Sequence, residues 1–159
     1  MKIEKTNVCR LLDQAGISYK TVAYAVNEDD LGATTIASEL GEDIGQVFKT
    51  IVLTGDKTKF IVCVVPGNLE VNLKLAAKAS GNKKCEPLLQ RLLLSTTGYI
   101  RGGCSPIGMK KHFPTFIDRR ALKYNRIYVS AGKRGLQIQI APNDLASMSQ
   151  AQFVDIAAE

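Results

Sequence analysis

The sequence predicts an α/β domain of the α+β kind: a curved, mixed, largely antiparallel sheet, partly barrel-like, with surrounding helices. Three observations carry this prediction. Apolar, β-branched runs at 48–53 and 59–65 flank Thr54-Gly55-Asp56-Lys57-Thr58, the pattern of a β-hairpin. A second pair of strand-like runs, 126–130 and 136–140, is also joined by a short Gly-containing turn. Helix-period segments closed by glycine are interspersed among these runs. A parallel pair needs a crossover of about a dozen residues or more, so strands joined this closely run antiparallel and the sheet cannot be all parallel.

The elements follow in order. Val8, Leu11, Leu12 and Ala15 recur at helical spacing before Gly16, which predicts an amphipathic helix over residues 4–15. Residues 17–24 are rich in β-formers and read as a strand. The acidic stretch 27–32 reads as a loop. A short helix runs from Thr34 or Thr35, either of which is a candidate N-cap, to Leu40, with Gly41 as its left-handed stop. After the hairpin, Pro66-Gly67-Asn68 ends the second strand, and Asn72 caps a helix to about Ala79 that Gly81 closes. Residues 87–94 read as a helix with Pro87 in its first turn. Strands follow at 113–118, 126–130 and 136–140, and Pro142-Asn143-Asp144 opens the last helix.

At 159 residues the chain fits one domain spanning 1–159. A domain of that size hides roughly two-thirds of its unfolded surface and needs no staple. No apolar run approaches the roughly 18 residues of a membrane span. The first five residues lack the apolar core of a secretory signal. The expectation is therefore a cytoplasmic protein without a membrane partner. Cys9, Cys63, Cys85 and Cys104 form no Cys-x-x-Cys pair, and His112 is the single histidine, so no zinc pattern can be built. Cys9 and Cys63 read as buried small hydrophobes.

The net charge of +6 is unevenly spread. Residues 1–73 carry seven Lys/Arg against ten Asp/Glu, whereas residues 74–159 carry fourteen against five. The later cations come in pairs, at Lys83-Lys84, Lys110-Lys111, Arg119-Arg120 and Lys133-Arg134. Such a one-sided excess attracts polyanions; the plain alternative is a solvated face.

Three segments bear chemistry. Gly102-Gly103-Cys104-Ser105-Pro106-Ile107-Gly108 cannot be a helix interior or central strand, and reads as a shaped loop with bare backbone groups, or else as an ordinary turn. Lys49 interrupts the apolar start of a strand, either snorkelling to solvent or standing as a fixed charge in a cleft. Ile127 to Leu136 packs a hydroxyl, two glycines and two cations into one turn between strands. That turn is a ligand site or a plain hairpin.

Together these segments resemble the YbaK family of aminoacyl-tRNA deacylases, which shares its domain with the editing insertion of bacterial prolyl-tRNA synthetase. The family's Lys-Thr pair appears as Phe48-Lys49-Thr50. Its Ser-Thr-Gly-Tyr and Gly-Gly-x-Ser-Pro-x-Gly block appears as Ser95-Thr96-Thr97-Gly98-Tyr99 and Gly102 to Gly108. Its Tyr-Val-Ser-Gly-Gly-Lys-Arg-Gly-Leu turn appears as Tyr128 to Leu136, with Ala131 for one glycine. The helix Leu73 to Lys78 also has the family's look.

The resemblance implies the YbaK and prolyl-tRNA synthetase-associated domain fold, and removal of a wrong amino acid, typically Cys, from tRNA for proline. It implies Lys49 and Gly102 as catalytic positions. Tyr24, Leu31, Thr50, Gly103, Ser105, Pro106, Ser130 and Gln137 are implied to contact substrate. Lys110, Lys111, Lys133 and Arg134 are expected to hold the tRNA, and prolyl-tRNA synthetase is a possible partner. No metal or cofactor is expected. Leu31 falls where many members carry Phe, Gln137 where some carry Asp, and Cys104 replaces an apolar Ile. Without a Ser/His/Asp set, the chemistry is expected to be substrate-assisted: backbone N–H groups of the Gly102–Gly108 loop hold the oxyanion while Lys49 fixes the terminal nucleotide. Two alternatives stand beside this reading, a thiol enzyme using Cys104 and a non-catalytic tRNA- or synthetase-binding module.

Overall fold

The computed structural model describes residues 5–26 and 29–158. The expected helix start at residue 4 and the loop residues Asn27 and Glu28 lie outside them, as does the side chain of Thr34. The chain begins with α1 (Asn7–Gln14), β1 (Tyr19–Ala23), α2 (Ala33–Leu40), β2 (Phe48–Gly55) and β3 (Phe60–Pro66). It continues through β4 (Glu70–Val71), α3 (Leu73–Ser80), β5 (Cys85–Pro87), α4 (Leu93–Thr97) and β6 (Thr115–Asp118). It ends with β7 (Ile127–Lys133), β8 (Leu136–Ile140), α5 (Pro142–Ser149), β9 (Gln152–Val154) and β10 (Ala157–Ala158).

Two open sheets face one another. One has the order β1-β8-β7 and the other β5-β2-β3-β6-β9, while β4 and β10 form a separate ribbon. The pairs are antiparallel except β3 with β6 and β6 with β9, so the architecture is mixed and largely antiparallel, and the barrel-like curl does not close. A single parallel bridge, Val47 to Tyr128, joins the entrance of β2 to β7. Beyond it β2 has β3 on one edge, but its other edge meets β5 only from Leu53 onward. Among the described residues, no strand is paired with that second edge from Lys49 to Ile51.

Apolar alternation explains the rest. Val8, Cys9 and Leu12 of α1 seal one end of the main core with Val129, Ile138 and Ile140. The other face of the larger sheet packs Leu53, Ile61, Cys63 and Val65 on Ala76 and Ala77 of α3. Asn72 caps α3 as its sequence predicts, its Oδ1 accepting from the N–H groups of Lys74 and Leu75 at 3.1 Å each.

Three local expectations are corrected. Neither threonine caps α2, because Gly32 is its N-cap; Thr35 lies inside the helix and donates to Asp30 Oδ2. Residues 87–94 are not one helix. Cys85 is buried, and it draws Cys85–Pro87 into an edge strand where a proline's missing donor is tolerated; a 3-10 turn at Gln90–Leu92 and the short α4 follow. The strand expected at 126–130 runs on to Lys133 through a bulge, leaving Arg134-Gly135 as a two-residue turn.

Asp118 is fully buried and anchors the C-terminal segment. Its carboxylate accepts from the N–H groups of Arg120, Ile156 and Ala157 at 3.0, 3.1 and 2.9 Å, and from the Arg120 guanidinium at 3.2 Å. Removing it strands several donors at once. Asp118→Ala is expected to cost about 2–4 kcal/mol in urea unfolding; a loss under about 1 kcal/mol would show that the C-terminal strands hold without it.

Candidate active site

The gap beside the uncovered edge of β2 is a cavity of about 470 Å³, within the roughly 300–1,000 Å³ usual for ligand sites. Residues 48–52 of β2 line one side. Ser130 of β7 and Gln137 of β8 line another, and they sit directly opposite each other in the ladder, so both side chains leave the same sheet face. The start of α2 supplies Ala33 and Ile36, and the segment after β5 supplies Leu88, Gln90 and Leu93. Arg101, Gly102 and Cys104 close the site from the glycine-rich loop.

The sequence explains how these parts meet. Phe48 is buried in the core and fixes the start of β2, so Lys49 next to it turns to the opposite side. The Lys49 side chain is about a quarter exposed, and Nζ lies 3.4 Å from Glu70 Oε1 on an almost fully exposed carboxylate. Such a pair is weak and readily exchanged for another anion. Gly102 takes φ +83°, a conformation that suits glycine. A Cβ on Gly103 would stand 3.1 Å from the Lys133–Arg134 backbone, so the loop lies directly on the β7–β8 turn. Arg134 Nε donates to the Arg101 carbonyl at 2.8 Å and ties the two segments together.

The expected site residues divide into two groups. Lys49, Thr50, Leu31, Gly102, Ser130 and Gln137 all line the cavity. Tyr24, Gly103, Ser105 and Pro106 are absent from its wall. Tyr24 packs behind it with Val47 and Tyr128. Gly103 donates its N–H to the Ile100 carbonyl at 3.0 Å, and the buried Ser105 Oγ accepts from Ile107 N–H at 3.2 Å. Those N–H groups are spent within the loop, so the part of it that faces the cavity is Gly102 and Cys104. Lys110, Lys111 and Lys133 are exposed, and Arg134 is half-buried. Sequence reasoning missed the wall made by α2, Gly67 and Leu88–Leu93, whose residues carry no motif and meet the site only through folding.

Two polar atoms here stand out. Thr50 Oγ1 and Gln137 Oε1 are buried and have no hydrogen-bond partner among the described residues. Ser130 is 7% exposed and its Oγ accepts from Gly132 N–H at 3.1 Å. The Cys104 thiol is pushed up to about 12 by burial, which keeps it protonated at neutral pH and unsuited to be a nucleophile.

The aminoacyl-tRNA editing domain model matches residues 28–148. The chain belongs to that family. It is 52% identical over 153 residues to EbsC of Enterococcus faecalis, a protein named as a candidate Cys-tRNA(Pro)/Cys-tRNA(Cys) deacylase, covering 96% of this chain and 93% of that one. Its fold is similar to a solved structure described as a candidate trans-editing enzyme for prolyl-tRNA synthetase, with a TM-score of 0.83 at 22% identity, covering 98% of this chain and all of the other. A second solved structure, the hypothetical protein APE2540, superposes with a TM-score of 0.85 at 17% identity over 94% of this chain and 97% of that one.

With all four cysteines buried and Cys104 raised to about 12, the native editing domain is expected to resist a thiol-specific reagent at pH 8 until it unfolds. Rapid modification of Cys104 in the folded protein would contradict this.

Proposed function

We propose that the protein is a trans-editing deacylase that cleaves the ester of a wrongly charged tRNA, with cysteinyl-tRNA for proline as its main substrate. The observation that carries this is the meeting of Lys49, the Gly102–Cys104 edge and Ser130 around one cavity, in a chain of the editing family. An aminoacyl ester is already labile, so position and charge stabilisation matter more than a strong base. Lys49 exchanges Glu70 for an anionic or ribose oxygen of the terminal nucleotide. The backbone at Gly102 and Cys104 faces the carbonyl oxygen as it gains charge.

For a cysteinyl ester the substrate provides the attacking atom. Its sulfur bonds to its own carbonyl carbon, the C–O bond to the ribose breaks, and the thiol proton passes to the ribose oxygen. The product is a four-membered thiolactone. Discrimination by size is weak, since one methylene is worth only about 1–3 kcal/mol, so reading the thiol through its reactivity is the sharper filter. Lys110, Lys111, Lys133 and Arg134 hold the acceptor stem through phosphates, without base readout. The reading places the protein in the cytoplasm, with prolyl-tRNA synthetase as its proposed partner. The described residues contain no helix long and apolar enough to cross a membrane.

Lys49→Ala is expected to lower deacylation of Cys-tRNA(Pro) by about a hundredfold or more with little change in melting temperature, because its one ion pair is exposed. Wild-type turnover by that variant would remove Lys49 from the reaction. Across tRNAs charged with Cys, Ala, Ser and Pro, the cysteinyl ester is expected to be cleared fastest. The affinity for tRNA is expected to fall steeply with salt, and a flat response would withdraw the four basic residues from tRNA binding.

A further inference from the structure

The segment that carries Gly102 to the cavity wall is a β-turn. Gly103 N–H donates to the Ile100 carbonyl at 3.0 Å. Gly102, in the third position, takes φ +83°, and Arg101, in the second, does not take positive φ. That combination is a type II turn, whose third residue sits at about +80°, where a type I turn would hold it at about −90°. The two types share their ends and differ by a flip of the central peptide, here the one that joins Arg101 to Gly102. Glycine in the third position is compatible with both forms, so the choice between them falls to whatever holds that peptide.

Arg134 holds it. Its Nε donates to the Arg101 carbonyl at 2.8 Å and lies close beside Gly102, where a Cβ would stand 3.4 Å from it. Arg101 and Gly102 line the cavity and Arg134 does not, so the grip comes from behind the wall. In a trans peptide the carbonyl oxygen and the following N–H point in opposite directions. With the Arg101 oxygen turned to Arg134, the Gly102 N–H is turned away from it, and among the described residues that N–H has no acceptor. Arg134 makes no ion pair among the described residues either, which leaves its terminal nitrogens for phosphate while Nε is engaged.

We propose that Arg134 is a positioning residue: by holding the Arg101 carbonyl it locks the Ile100–Gly103 turn in its type II form and aims the Gly102 N–H at the ester carbonyl. This deepens the deacylase reading and rests on it. A flip to type I puts the Arg101 oxygen where that N–H stands, and a developing oxyanion then meets a dipole of the wrong sign. Arginine suits the task where lysine does not. Its Nε is a donor set within the stem, whereas lysine has a methylene at that place and its ammonium one atom beyond. Glutamine has the converse make-up, an N–H donor at the place of Nε and no charge.

The test is the steady-state kinetics of Arg134→Lys and Arg134→Gln on Cys-tRNA(Pro). Arg134→Lys keeps the charge and loses the inner donor, so kcat is expected to fall by about ten- to a hundredfold, with KM and its salt dependence close to wild type. Arg134→Gln keeps the donor and loses the charge, so it is expected to retain the larger kcat, to raise KM and to lower the salt slope by about one. A role confined to phosphate binding gives the reverse order, with the lysine variant near wild type and the glutamine variant the poorer, and overturns the proposal. The same pair is compared on 3′-cysteinyl-adenosine, which has the ester and no phosphate. Arg134→Gln is expected to outpace Arg134→Lys there by a similar factor, and equal rates overturn the proposal as well. If the wild type releases no amino acid from any charged tRNA, the deacylase reading falls and takes this proposal with it. A reversed order in an active enzyme removes this proposal alone.

Discussion

The backbone bridge between Val47 and Tyr128 is the constraint on which the rest of the molecule depends. Among the described residues it is the one β-bridge that joins the larger sheet's strand entrance to the smaller sheet. Both residues are buried. The Tyr128 hydroxyl donates to Glu42 and accepts from Gln139 at 2.9 and 2.8 Å, so the seam is fixed by side chains as well as by backbone. Immediately past it the sheets part. Strand β5 arrives too late to cover Lys49–Ile51, and the uncovered length becomes the wall of a cavity. Edge backbone of this kind is a hazard when it faces water; here it is enclosed by α2, the glycine-rich loop and the segment after β5.

The close approach at Gly67 shows how tightly this seam is drawn. Its N–H donates to the Val47 carbonyl at 2.8 Å. A Cβ there would lie 2.2 Å from the Ala33 side chain and 3.0 Å from the Val47 carbonyl oxygen. Only a residue without a side chain lets the start of α2 settle against the start of β2. Gly67 and a second glycine, Gly102, both line the cavity without a side chain of their own. Charge is likewise divided by geometry. Lys49 and Arg101 give the site its positive rim, while the neutral oxygens of Thr50 and Gln137 lie buried within it.

Much of this was legible in the residues. The two hairpins, the Asn72 cap and the glycine stops are local signals, and the structure keeps them. Phe48-Lys49-Thr50, the Gly102 loop and the Tyr128–Leu136 turn stood out because each breaks a local pattern: a cation in an apolar strand, glycines in series, a hydroxyl with two glycines and two cations in one turn. What was not legible comes from long-range pairing. Nothing near Pro87 says that Cys85 will be pulled into the sheet by its burial, so a helix was expected there. The parallel pairing of β6 and β9 joins segments far apart in the chain. Ser105 and Pro106 sit in the right motif, but they face inward and shape the loop rather than the cavity, a distinction that only the fold makes. The orphaned oxygens of Thr50 and Gln137 could not be foreseen, since sequence shows that a polar group exists and not whether it is paired.

The central claim is that one cavity between two open sheets receives the aminoacyl end of tRNA in a single orientation. A crystal structure with a non-hydrolysable 3′-cysteinylamino-3′-deoxyadenosine tests it most directly. The account predicts the carbonyl oxygen against the Gly102–Cys104 backbone and Lys49 released from Glu70 toward the adenosine. An analogue bound outside this cavity, or bound within it with its carbonyl oxygen turned away from the Gly102–Cys104 backbone, would contradict the account.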